Sequence, residues 1–168
     1  MKKIISRSPE KYRGIFLILT LALMTVIFVL SAQDADRSAN TSSFLTRIMV
    51  KLMAKDYDSL PLAQQQEIWD KASFIVRKLA HFSIYTALGF CASFTAGKRK
   101  LLTVKSLGVL IFGFLYAASD EFHQHFVPGR SCEFRDMMID TGGVTVGMIV
   151  SLIFMVIIAH FASKRRKS

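Results

Sequence analysis

GIFLILTLALMTVIFVLSA, residues 14–32, carries no charged side chain from one end to the other. A helix that crosses a bilayer needs roughly 17–25 mainly apolar residues, so this stretch reads as a membrane span. Three further stretches meet the same criterion. Residues 79–97 are uncharged apart from His81 at their start; residues 101–119 are interrupted by Lys105, whose stem can snorkel to an interface; residues 143–162 complete the set. The first run also resembles a secretory signal with a cleavage site at Ser31-Ala32-Gln33. Its apolar core exceeds the roughly 7–15 residues usual for signals, which favours a retained span. The expected fold is therefore all-α, a polytopic helical bundle of four transmembrane helices, with one or two external amphipathic helices.

Composition agrees with that class. The chain has 168 residues, 52% of them hydrophobic, and a mean hydropathy of +0.38, too apolar for an ordinary soluble domain of this size. A single domain over residues 1–168 is the natural division. The formal net charge of +10 is a topology signal rather than a nucleic-acid footprint. Lys2, Lys3, Arg7, Lys11 and Arg13 precede the first span; Lys98, Arg99, Lys100 and Lys105 lie between the second and third; Lys164, Arg165, Arg166 and Lys167 close the chain. Glu10 is the one acid among them. Short basic loops stay inside, which puts both termini in the cytoplasm of a multi-pass membrane protein. No basic patch with interleaved aromatics occurs elsewhere, and nucleic acid is not an expected partner. Cys91 falls inside an apolar segment and Cys132 in a polar one, so a disulfide is not expected.

External segments then run over residues 33–78 and 120–142. Ser31–Ser43 reads as a loop. Phe44, Leu45, Ile48, Met49, Leu52 and Met53 recur at helical spacing among Arg47, Lys51 and Lys55, the pattern of an amphipathic helix lying at the outer interface. Ser59-Leu60-Pro61 breaks it. A second helical pattern follows, with Ser59 as candidate cap and Trp69 as interfacial anchor, and it can run unbroken into the second span.

SDEFHQHFVPGRSCEFRDMMID, residues 119–140, sits between two of the apolar segments. Ionisable groups at a membrane edge are costly to desolvate, so they tend to be paired, solvated or functional. Arg77, His81 and Tyr85 are spaced to share one helical face, with Lys78 beside His81. Tyr116, Asp120 and Gln124 form a similar row if the third helix continues past Ser119. Asp136 and Asp140 stand one turn apart on the fourth, and Gly143 and Gly147 prolong their face as a close-packing motif. Pro128-Gly129 suits a type II turn, because proline presets φ and glycine supplies φ > 0. These stripes are expected to meet at the outer membrane surface.

The same residues carry a resemblance. Arg77-Lys78-Leu79-Ala80-His81-Phe82-Ser83-Ile84-Tyr85, Leu88-Gly89, Ser119-Asp120-Glu121-Phe122-His123-Gln124, Phe126-Val127-Pro128-Gly129-Arg130, Asp136 and Asp140-Thr141-Gly142-Gly143 resemble the VanZ-like family of bacterial membrane proteins. The match spans roughly residues 77–147. Family members often have Glu where this chain has Ile84, and Asn where it has Asp140. The resemblance implies a cell-envelope protein of the teicoplanin-resistance type. Teicoplanin is a lipid-tailed glycopeptide that binds the D-Ala-D-Ala end of cell-wall precursors.

Candidate roles follow from the chemistry. Arg77, His81, Tyr85, Asp120, Glu121, Gln124, Arg130, Asp136 and Asp140 are the candidate ligand-binding residues. Pro128 and Gly129 shape the rim. His81 can serve as a general base, a phosphate ligand, or a helix-end group bonded to a carboxylate. Arg130 can hold a phosphate or carboxylate in a bidentate contact, or pair with Asp120, Glu121 or Asp136 and pin the loop. Asp136 and Asp140 can form an acid/base pair, or Asp136 can serve the helix N-terminus. If the chain is an enzyme, His81, Asp120, Glu121 and Asp136 are the catalytic candidates of an intramembrane hydrolase or transferase. His123 and His125 do not share a helical face, and Cys132 has no histidine at catalytic spacing; neither a metal nor another cofactor is expected. The expected partners are membrane lipids and a lipid-linked peptidoglycan precursor or lipoglycopeptide, with the oligomeric state left open. A small transporter is the least favoured reading, since four spans show no internal repeat.

Overall fold

Long uninterrupted runs of helix formers, broken only where glycine, proline or a polar cluster intervenes, produce a chain of helices. The computed structural model describes residues 12–34, 42–97, 101, 103–130 and 132–164, and of residues 159 and 162–164 the backbone alone. Among these residues there are five α-helices and no strand: α1 (Arg13–Ser31), α2 (Ser43–Met53), α3 (Leu62–Thr95), α4 (Val104–Gln124) and α5 (Phe134–Lys164), with a 3-10 turn at Tyr57–Ser59. The basic flanks at residues 2–11, 98–100 and 165–167, and most of the Ser31–Ser43 loop, lie outside the described residues.

Residues 62–95 form one continuous helix, as the sequence pattern allowed, roughly 50 Å long at about 1.5 Å per residue. Ser59 does not cap it. Pro61 occupies the N-cap position with extended backbone, and the Ser59 hydroxyl donates instead to the Asp56 carbonyl at 2.7 Å. The Gln65 side-chain amide closes the junction by donating to the Leu60 carbonyl at 2.8 Å. On α2, Thr46 and Val50 are the buried residues, while Phe44, Leu45, Ile48 and Leu52 face outward. The helix thus docks with one narrow edge and keeps most of its apolar face free.

Two helices are long and apolar enough to cross a membrane by length and composition, α1 and the Phe134–Ile158 stretch of α5. Residues 79–95 and 104–119 are helical too, as parts of α3 and α4, but fall below that mark. Serine, threonine and tyrosine recur along both, and each helix carries ionisable side chains where it meets the polar site. The apolar windows of α1 and α5 are only 17% and 28% buried. They turn their apolar surface outward rather than sealing it in a core.

The core runs along the contact between α3 and α5 and is closed by α1 and α4. Tyr85, Leu88, Val144, Ala117 and Ile27 are fully enclosed there. Glycine makes that contact possible. A methyl group added at Gly143 would sit 2.6 Å from the Phe82 carbonyl oxygen, and one at Gly147 would strike the Thr86 carbonyl. Gly113 of α4 gives the same room to the Val144 side chain. Deeper along the pair, Ser151 donates to Ser93 at 2.7 Å. Backbones this close leave no path for relaxation except separation of the helices. Gly147→Ala is therefore expected to cost on the order of 1–3 kcal/mol, read as a lower melting temperature of the purified protein; an unchanged melt would refute the close approach.

Candidate functional site

Polar residues from the middle of α3, the end of α4 and the start of α5 face each other across the glycine-packed contact. The α4–α5 connection folds over them. Pro128-Gly129 turns as expected, with Gly129 at φ +74° and the Arg130 amide donating to the Val127 carbonyl at 3.2 Å. That reversal points Arg130 back toward α4, where its Nη1 donates to Gln124 Oε1 at 3.0 Å.

Beneath the turn lies a fully enclosed knot centred on Asp120. Its Oδ2 accepts from Ser31 Oγ of α1 at 3.0 Å, from the Tyr85 hydroxyl of α3 at 3.1 Å, and from Gln124 Nε2 at 3.2 Å. Asp120 is 4% exposed and Tyr85 is not exposed at all. Three donors on one carboxylate oxygen hold it rigidly. The α4 helix does continue past Ser119, which puts Asp120 and Gln124 on one face. Tyr116, from the same row, turns to α1 instead and donates to the Met24 carbonyl at 2.6 Å.

Above the knot opens a cleft of about 130 Å³. Arg77, His81, Glu121, Gln124, Arg130, Asp136 and Asp140 line it, together with Gly129 of the turn. Tyr85 and Asp120 are not on its wall. They form the layer below, and Pro128 stays on the outside of the loop. The cleft also has four lining residues outside the candidate set: Phe74, Lys78, Glu133 and Ile139. Lys78 forms an ion pair with Asp136, linking α3 to the first turn of α5. Asp136 thereby serves a lysine as well as a helix N-terminus. Ser31 was the other omission. It stands at the end of an apolar span, where nothing in periodicity or spacing ties it to residues some 90 positions away. Lys78 was legible as a neighbour of His81; its partner was not.

Electrostatics divide the cleft. Glu121 lies 1% exposed, and burial pushes its carboxyl above the usual carboxylate range, partly offset by the Glu133 amide that donates to it at 3.1 Å. Burial lowers the Arg130 guanidinium, and the nearby Arg77 cation lowers it further. Arg130 Nε is buried without a partner. Among the described residues neither Arg77 nor Arg130 forms an ion pair, so the pairing of Arg130 with Asp120, Glu121 or Asp136 does not occur. On the far wall His81 Nδ1 faces Asp140 Oδ2 at 3.6 Å. His123 lies elsewhere, stacked on Phe28 with ring centroids 4.5 Å apart, and His125 is exposed. Cys91 and Cys132 are both free thiols.

A helical bundle with a polar cleft between three glycine-packed helices is the class that fold and site define. The chain matches the VanZ/LLP1 family over residues 16–156 and belongs to it. The match extends well beyond the motif region at residues 77–147 and takes in α1, whose Ser31 completes the buried knot. No curated protein and no solved structure matches the chain.

Proposed function

We propose that this VanZ-like protein is a four-span envelope protein with both termini cytoplasmic. Its outer-face cleft binds the anionic group of a lipid-linked cell-wall intermediate or a lipidated glycopeptide. Through that binding it contributes to glycopeptide (teicoplanin) resistance. The observation that carries this reading is the pair Arg77 and Arg130, which both line the cleft within electrostatic reach of each other and, among the described residues, with no carboxylate ion-paired to either. Two like charges at a partly buried wall repel, and an anion between them removes the repulsion while satisfying the unpartnered Arg130 Nε. Family membership supports the link to teicoplanin. The outward apolar surfaces of α1 and α5 support the membrane setting, and the Ser31–Asp120 bond favours retention of α1 over its removal as a signal. The free apolar face of α2 fits a helix resting on the outer interface.

Arg130→Glu tests the binding role. It replaces the cation by a carboxylate and is expected to abolish any resistance or envelope phenotype while the protein still inserts. Susceptibility is measured alongside membrane abundance; full activity at normal abundance refutes the reading. An intramembrane hydrolase or transferase is the second reading, favoured by His81 opening onto the cleft beside Asp140 with Glu121 opposite. It requires chemically altered lipid-linked precursors or antibiotic. Unchanged masses in cells with a clear phenotype exclude it.

A further inference from the structure

We infer that His81, Asp120 and Asp140 form a binding site for one divalent transition-metal cation at the floor of the cleft. Each offers a ligand atom from a different helix, and the three atoms lie within 4.8 Å of one another. Metal–ligand bonds of about 2.0–2.2 Å place neighbouring donor atoms roughly 3–3.6 Å apart. The His81 Nδ1 to Asp140 Oδ2 separation of 3.6 Å already has that spacing, and the set closes around an ion with a small side-chain shift.

Asp140 Oδ2 supplies an independent reason. Asp140 is 1% exposed, and this oxygen has no hydrogen-bond partner although it is aimed at the His81 ring. At 3.6 Å the two atoms are too far apart for a hydrogen bond. A buried carboxylate oxygen left without a donor is costly, and a cation shared with the imidazole satisfies it. Asp120 is prepared in the way metal ligands are, since Tyr85, Ser31 and Gln124 hold its carboxylate by hydrogen bonds from behind. The side-chain inventory agrees: five carboxyl groups, on Asp120, Glu121, Glu133, Asp136 and Asp140, gather with three basic groups, on Arg77, Lys78 and Arg130, an acidic excess that suits a cation.

The ligand types select the metal. One imidazole nitrogen with two carboxylates suits zinc or manganese, whereas magnesium and calcium prefer oxygen alone. No spacing rule could have reported the site, because its ligands come from positions 81, 120 and 140 on three helices. The residues that the sequence reading weighed for a metal and set aside were His123 and His125 with Asp120 and Glu121; of these, Asp120 alone belongs to the inferred site.

The test uses the full chain, purified in detergent, stripped with a chelator and titrated with ZnCl2 or MnCl2 by calorimetry. The wild type and the exposed-site control His125→Ala are expected to bind one equivalent, and the metal is expected to raise their melting temperature. His81→Ala and the isosteric Asp140→Asn are expected to bind at least about tenfold more weakly and to lose the metal-dependent rise in melting temperature. Metal-free melts of the two variants confirm that they are folded. Absence of saturable binding in the wild type, or equal binding in both folded variants, overturns the assignment.

Discussion

Asp120→Leu is expected to prevent accumulation of folded protein. The substitution leaves the hydroxyls of Ser31 and Tyr85 and the Gln124 amide without their shared acceptor, in a place water does not reach. Gln124 Nε2 keeps a longer contact to Ser31 Oγ at 3.4 Å, but an abandoned buried donor costs about 1–3 kcal/mol, so the two hydroxyls alone cost several. A domain holds only about 5–15 kcal/mol of net stability, and most of it would be spent. The knot also ties α1 to α3 and α4, which makes the loss global rather than local. Asp120→Asn retains one acceptor oxygen and is expected to fold with a lower melting temperature. Adding Tyr85→Phe to Asp120→Leu removes one orphan and should recover part of the loss. Size-exclusion profiles and melts in detergent measure all three. An Asp120→Leu protein as stable as wild type would show that the three hydrogen bonds contribute nothing to the fold.

The second large effect concerns Lys78. Removing one partner of a buried ion pair strands the other charge, at a cost of about 3–5 kcal/mol. The Lys78 side chain is 21% exposed and that of Asp136 11%, which places Lys78→Met toward the lower end of that range. Asp136 has little recourse, because its second oxygen, Oδ1, is already buried without a partner. The double variant Lys78→Met with Asp136→Asn removes both charges and should regain much of the stability lost in the single variant. Strict additivity of the two single effects in a double-mutant cycle would mean that the pair is not coupled. Because the bridge joins the middle of α3 to the first turn of α5, its loss should also loosen the cleft mouth.

The helices themselves were readable because helix formation is local. A continuous pattern from Leu62 to Thr95 and the Pro128-Gly129 turn depend on neighbours a few residues apart. The Gly143 and Gly147 positions were legible as a packing face for the same reason, since small residues four apart line one side of a helix. The cap at Ser59 was misread because the backbone turned one step later, at Pro61, leaving the hydroxyl to the 3-10 turn. The α2 face was read correctly as amphipathic, but the docking edge fell on Thr46 and Val50. A helix pattern says which residues are apolar and not which edge meets a neighbour.

Periodicity, composition and the motif block between Arg77 and Gly147 were enough to define the helical class, the family and a set of polar residues worth watching. Which of them line the cleft and which lie under it was decided only in three dimensions. So were the pairing of Lys78 with Asp136, the reach of Ser31 to Asp120, and the meeting of His81 with Asp140. The reason is physical. Helix spacing governs contacts within about two turns, whereas these partners are 58 to 89 residues apart and are brought together only when glycine lets α3 and α5 close and α1 and α4 pack around them.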